Sequence, residues 1–125
     1  MTNSEAIAAE FFDRYAAALL ARDEQAIAAL YAVPGLIVFP GQLIAVSHRD
    51  QTAEFFASSW PQYEGVHEAD RQIVIMGEAP GTVWADVTWS YGGHVQERFC
   101  YQLVAGPQGY QVGVLTAMAP PEPRR

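Results

Sequence analysis

The chain has 125 residues, half of them hydrophobic, and a formal net charge of −7, which fits one compact domain spanning residues 1–125 with a core of its own. Its seven basic residues are all arginines, dispersed along the chain apart from a pair at the end, so no basic stripe exists to follow a phosphate backbone and nucleic acid is not expected as a partner. Without a lysine there is no Schiff-base chemistry and no phosphate-loop lysine, and aldolase-like, pyridoxal-dependent and nucleotide-hydrolysing readings fall away.

The first elements in chain order are helical. Ser4 or Thr2 can cap a first helix; Thr2 and Glu5 have capping-box spacing, and Ile7, Phe11, Phe12, Tyr15 and Leu19 share one apolar face, which predicts a helix running to about Arg22. Asp23 can cap a second, shorter helix that buries Ile27, Leu30 and Tyr31 and ends at Pro34-Gly35. Leu36 to Phe39 reads as a short strand with a hairpin partner at Leu43 to Val46. Ser47-His48-Arg49-Asp50 then has the form of a capping box, and Phe55, Phe56 and Trp60 follow at helical spacing, predicting a third helix from about His48 to Ser59.

The second half alternates. Val66 to Met76, Thr82 to Tyr91, His94 to Val104 and Tyr110 to Met118 read as four strands, with Gly92-Gly93 suited to a tight hairpin and residues 105–109 to a longer one. The residues 119–125 read as a loose tail. Taking Gly92-Gly93 as a regular two-residue turn puts Val83, Ala85, Val87, Trp89 and Tyr91 beside Gln96, Arg98, Cys100 and Gln102 on one sheet face. The other face then carries Trp84, Asp86 and Thr88 beside Val95, Glu97, Phe99, Tyr101 and Leu103. Each face would mix large apolar groups with polar ones, which predicts a sheet covered by helices on one side and by a second subunit on the other.

No apolar run is long enough to span a bilayer, and residues 1–5 lack the positive start of a secretion signal, so a cytoplasmic protein with no membrane partner is expected. The single Cys100 fits a reducing compartment, and arginine without lysine beside abundant alanine suggests a bacterial source. His67, Glu68 and Asp70 could suggest a metal, but strand alternation puts His67 on the face opposite Glu68 and Asp70, leaving too few ligands on one side, so neither metal nor cofactor is expected. Ser47, His48 and Asp50 lie too close on one helix start to form a catalytic relay, and capping accounts for them.

The run DRYAAALLARDEQAIAALYA, then GLIVFPG, then SHRDQTAEFF, then the long strands, resembles the NTF2-like superfamily, in particular its SnoaL-like and ketosteroid-isomerase-like branches. The resemblance implies an α+β cone: three helices on a strongly curved, mostly antiparallel sheet that encloses a cavity, usually dimeric through the sheet. It matches Tyr15 to the isomerase's oxyanion-hole tyrosine. The isomerase's general base falls at Val38-Phe39-Pro40 and its protonated aspartate near Cys100 to Gln102, where this chain has no carboxylate. A limonene-epoxide-hydrolase-like triad would need Arg98 and Asp86 together, and the register above sets them on opposite faces.

The expected function is therefore binding of a small apolar or aromatic molecule by a homodimer, with Phe39, Trp60, Trp89, Arg98, Cys100 and Gln102 as ligand contacts. Two alternatives accompany it: an isomerase, cyclase or hydrolase using Tyr15 as hydrogen-bond donor and His48 as acid or base, and an interaction module whose cavity is filled by its own side chains.

Overall fold

The computed structural model describes residues 2–120, with Val95 and Gln96 described as backbone only. Three helices, α1 (Asn3–Leu20), α2 (Glu24–Ala28) and α3 (Arg49–Ser59), precede most of the sheet, and a short 3-10 turn (Trp60–Tyr63) follows α3. The strands are β1 (Tyr31–Phe39), β2 (Gln42–Val46), β3 (Asp70–Ala79), β4 (Thr82–Tyr91), β5 (His94–Gly106) and β6 (Gly109–Met118). They form one open sheet in the order β2-β1-β6-β5-β4-β3, antiparallel except where β1 runs parallel to β6. The α+β architecture predicted from sequence is the one observed. Within the tail expected at 119–125, residues 121–125 lie outside the described residues. No helix among the described residues is long and apolar enough to cross a membrane.

Local chemistry explains the helix ends. Thr2 Oγ1 accepts the Glu5 amide at 3.1 Å while Glu5 Oε1 accepts the Thr2 amide at 2.8 Å, closing the capping box that opens α1. The far end of α1 closes by a Schellman pattern, Arg22 N–H to Leu19 C=O and Asp23 N–H to Ala18 C=O, with Arg22 in the left-handed region at φ 53°. An arginine is an uncommon choice there, and its side chain supplies the reason: the guanidinium donates to the carbonyls of Leu20, Tyr63 and Val66, tying the 3-10 turn to the end of α1.

Two boundaries depart from the sequence reading. The second helix stops at Ala28, and Tyr31 through Gly35, expected to finish it, are the start of β1. That stretch pairs irregularly with β6, which lets Pro34 stand in a strand without breaking a ladder hydrogen bond. Gly35 is needed for the close approach, since a Cβ there would lie 2.6 Å from the Ala32 carbonyl oxygen. Residues 66–69, expected as strand, form an irregular segment ahead of β3.

The core lies between α1 and the concave face of β4, β5 and β6. Ala8, Phe11, Phe12, Tyr15 and Leu19 on α1 meet Val83, Ala85, Val87 and Trp89 on β4 and Tyr101 and Leu103 on β5, all of them buried. Phe12 is fully buried with its ring 4.8 Å from that of Tyr101 in an edge-on contact.

The register of β4 and β5 overturns the face assignment made from sequence. Tyr91 does oppose His94 across the Gly92-Gly93 turn, but Ser90 opposes Val95 while Trp89 opposes Glu97, leaving Gln96 as an extra residue in β5. Beyond this bulge every β5 residue is turned to the face opposite the one expected from strict alternation. Phe99, Tyr101 and Leu103 join Val87, Ala85 and Val83 on the core face, whereas Arg98, Cys100 and Gln102 join Thr88, Asp86 and Trp84 on the convex face. Gln96, counted on one of the expected faces, has no described side chain.

Candidate functional site

A cavity of about 300 Å³ opens where the end of α3 and the 3-10 turn face the β1-β2 and β4-β5 hairpins. Tyr15, Trp89, Tyr101 and Leu115, all buried, form its floor. Phe39, Phe55 and Phe99 form an apolar side wall, with the Phe39 ring 5.3 Å from Phe55 and 5.8 Å from Phe99. The exposed Gln42, Ser58 and Gln62 stand at the mouth. The lining is aromatic because three elements with apolar stripes converge there: the α1 face, the inner face of β4-β5, and the Phe55-Phe56 pair of α3.

On the remaining wall sits Glu97. Its Oε1 accepts hydrogen bonds from the Tyr63 phenol at 2.7 Å and from the Tyr91 phenol at 2.9 Å. The two tyrosine rings meet edge to face at 5.5 Å, and Tyr91 stacks on Trp89 at 6.4 Å. Oε2 accepts no hydrogen bond from the described residues, so one carboxylate oxygen has its lone pairs available. Glu97 is also the charged group among the described lining residues; the rest are aromatic, aliphatic or neutral polar.

Each member of the cluster has a structural cause. The β5 bulge places Glu97 opposite Trp89, and therefore on the cavity face. Tyr63 is held by the 3-10 turn, which the Arg22 guanidinium fastens by its carbonyl. Burial raises the phenol of Tyr63 well above its ordinary value, and the neighbouring Glu97 carboxylate raises it further. The Tyr91 phenol is raised by burial first, then by Tyr63 and Glu97. Both therefore remain donors across the neutral pH range.

Of the residues singled out from sequence, Tyr15, Phe39 and Trp89 line the cavity. The Tyr15 hydroxyl lies 2.6 Å from that of Tyr31, and the Trp89 indole N–H donates to the Tyr101 hydroxyl at 3.0 Å. Burial raises the Tyr15 and Tyr31 phenols well above their usual value. Tyr15 is thus part of a satisfied polar pair inside the core.

The others lie elsewhere. His48 is exposed at the start of α3 and outside the lining, so it does not meet Tyr15; Gln51 Oε1, not the imidazole, accepts the Ser47 and His48 amides there. Trp60 packs on Phe56 and Tyr63 outside the lining, with its indole N–H on Glu24 at 3.2 Å. Arg98, Cys100 and Gln102 are on the convex face because of the bulge. There Arg98 donates from Nε to Asp86 Oδ1 at 2.9 Å, the pairing that strict alternation forbids. Arg98 holds the Asp86 carboxyl below its usual range, and partial burial raises the Cys100 thiol.

Glu97 was missed in the sequence reading, although a signal for it exists. It shares a face with Phe99, Tyr101 and Leu103 by simple alternation, and a lone carboxylate in such an apolar stripe is unusual enough to mark.

No protein-family profile and no curated protein matches the chain. Solved structures do. A ketosteroid isomerase-like protein from Erwinia carotovora atroseptica SCRI1043 superposes with a TM-score of 0.66 at 18% identity, over 96% of this chain and 100% of that one. An NTF2 design gives 0.68 at 9% identity, over 89% of this chain and 96% of that one. The chain has the NTF2-like fold. A domain of unknown function with a cystatin-like fold, from Nostoc punctiforme PCC 73102, gives 0.68 at 14% identity over 94% of this chain and 78% of that one. At these identities the likeness concerns the fold, and the chemistry of the NTF2-like cavity has to come from its own residues.

Proposed function

We propose that this NTF2-like chain binds a small, largely apolar or aromatic molecule in the cavity and fixes its orientation through Glu97. The observation that carries this reading is one carboxylate oxygen without a hydrogen bond from the described residues, in an enclosure whose other lining residues are uncharged and mostly aromatic. An apolar ligand body gains by leaving water, while a single polar contact at Oε2 selects its orientation. The void argues against a module whose cavity is filled by its own side chains. Catalysis by Tyr15 and His48 has no support from their separation; a reaction in this cavity would have Glu97 as its proton acceptor, with Oε2 as the receiving atom.

The test is a fragment screen by nuclear magnetic resonance on the whole chain. Aromatic fragments should shift the Trp89 indole N–H and the ring signals of Phe39, Phe55 and Tyr91, and Gln62→Trp at the mouth should reduce that binding. Fragments that perturb only residues outside the cavity would overturn the reading.

The convex face supports a homodimer. Val74 and Met76 on β3 are half exposed, and Trp84, Val104, Val114 and Met118 add partly covered apolar surface beside the neutralised Asp86-Arg98 pair. A second copy seated on this face would bury an apolar patch whose one charge pair is already internally balanced.

A further inference from the structure

We infer that the cavity's ligand is a small amine: an ammonium group carried on an aromatic or alicyclic body. This rests on the binding reading above and names the chemistry that the cavity's charge demands. Glu97 brings a carboxylate into the wall, and the described lining residues supply no arginine or histidine to balance it. Both phenol donors go to Oε1, and a hydrogen bond from a neutral donor supplies no balancing charge. The carboxylate's negative charge is the one left unmatched in the enclosure, and the ligand is the component left to supply its counter-charge.

The surrounding rings suit such a cation. Trp89 and Tyr91 stack nearly parallel, at an interplanar angle of 21°, and Tyr63 meets Tyr91 edge to face, so three aromatic rings and a carboxylate share one corner of the lining. Ammonium groups are recognised in this manner, by ring quadrupoles with a carboxylate as counter-charge. A neutral alcohol or phenol would donate one hydrogen bond to Oε2 and leave the charge uncompensated. The long-range field agrees: a chain with net charge −7 and no lysine attracts cations to its clefts. The cavity's volume, about 300 Å³, holds a single ring with a short side arm.

A matched pair decides it. 2-Phenylethylamine and 2-phenylethanol share shape and differ in charge, and their affinities for the full chain are measured by calorimetry at pH 7. The amine should bind at least fivefold tighter, and Glu97→Gln should abolish that preference. A smaller ratio in the unsubstituted protein overturns the amine inference even if both ligands bind, in which case the apolar-ligand reading stands. A preference that survives Glu97→Gln also overturns it. If neither compound binds at millimolar concentration and the fragment screen is also blank, the binding reading falls with it. The ratio in the unsubstituted chain needs no variant, so the inference is decided even if Glu97→Gln fails to fold.

Discussion

The Tyr63 phenol donates to Glu97 Oε1 at 2.7 Å, joining the 3-10 turn after α3 to β5 across the mouth of the cavity. This bond has two consequences: it engages one carboxylate oxygen and leaves the other without a hydrogen bond from the described residues, and it couples the position of the turn to that of the strand. Tyr63→Phe should lower stability by about 1.5–3 kcal/mol, the range for a hydrogen bond to a charged group. In a double-mutant cycle with Glu97→Gln, a coupling of roughly 1 kcal/mol or more is expected, measured by urea unfolding. Additive effects of the two substitutions would show that the bond contributes nothing net.

Five phenols, those of Tyr15, Tyr31, Tyr63, Tyr91 and Tyr101, have values raised above 10, in each case through burial first. Raised values mean that the folded chain keeps these protons at a pH where the unfolded chain releases them. Their contribution is therefore constant below about pH 10 and is lost as pH rises beyond it, by about 1.4 kcal/mol per pH unit for each such phenol. Alkaline unfolding should be steep. Tyrosinate absorbance from these residues should appear together with the loss of near-ultraviolet circular dichroism; tyrosinate absorbance from all five in a chain that keeps its native dichroism would contradict the prediction.

Much of the fold was legible because its signals are local. The Thr2-Glu5 box, the 3.6-residue spacing of Phe11, Tyr15 and Leu19, and the Gly92-Gly93 turn each depend on a few neighbouring residues, and each appears in the structure. The site was less legible because it depends on strand register, which one extra residue alters. Nothing in the run His94-Val95-Gln96-Glu97 marks Gln96 as the bulge, and with strict alternation Arg98, Cys100 and Gln102 fall on the cavity side. The same slip separated Asp86 from Arg98. Likewise Pro34-Gly35 signals a break in any local reading, whereas β1 runs through it, pairing with β6 at Tyr31 and again from Leu36 and with β2 from Gly35.

The convex face should carry the contact between two copies. Trp84→Lys and Met118→Lys each place a charge in that face without touching the cavity lining. Each should weaken dimerisation by about 2–4 kcal/mol, the loss typical of a central interface residue, and leave the thermal unfolding of the monomer cooperative. Sedimentation equilibrium at micromolar concentration reads the result. A monomeric parent chain, or a dimer indifferent to both substitutions, would place the interface elsewhere or remove it.

The bulge itself makes the sharpest test of how the site is built. Ser90 opposes Val95 and Trp89 opposes Glu97, so removing Gln96 would leave a regular two-residue hairpin in which every other pair keeps its present partner. Deletion of Gln96 should therefore preserve the inward facing of Glu97, Phe99, Tyr101 and Leu103 and the outward pairing of Arg98 with Asp86. Nuclear Overhauser contacts from Glu97 to Tyr63 and Tyr91 should persist, and the unfolding midpoint should change little, by about 1 kcal/mol in either direction. Deleting Arg98 has the opposite effect: the chain can keep its core only by giving up the bulge, which puts Glu97 opposite Thr88 on the convex face and empties the cavity of its charge. The preference for an amine over the matching alcohol should then vanish although the fold survives. If the Gln96 deletion loses the Glu97 contacts, or the Arg98 deletion retains them, strand register alone is not what aims the carboxylate into the cavity.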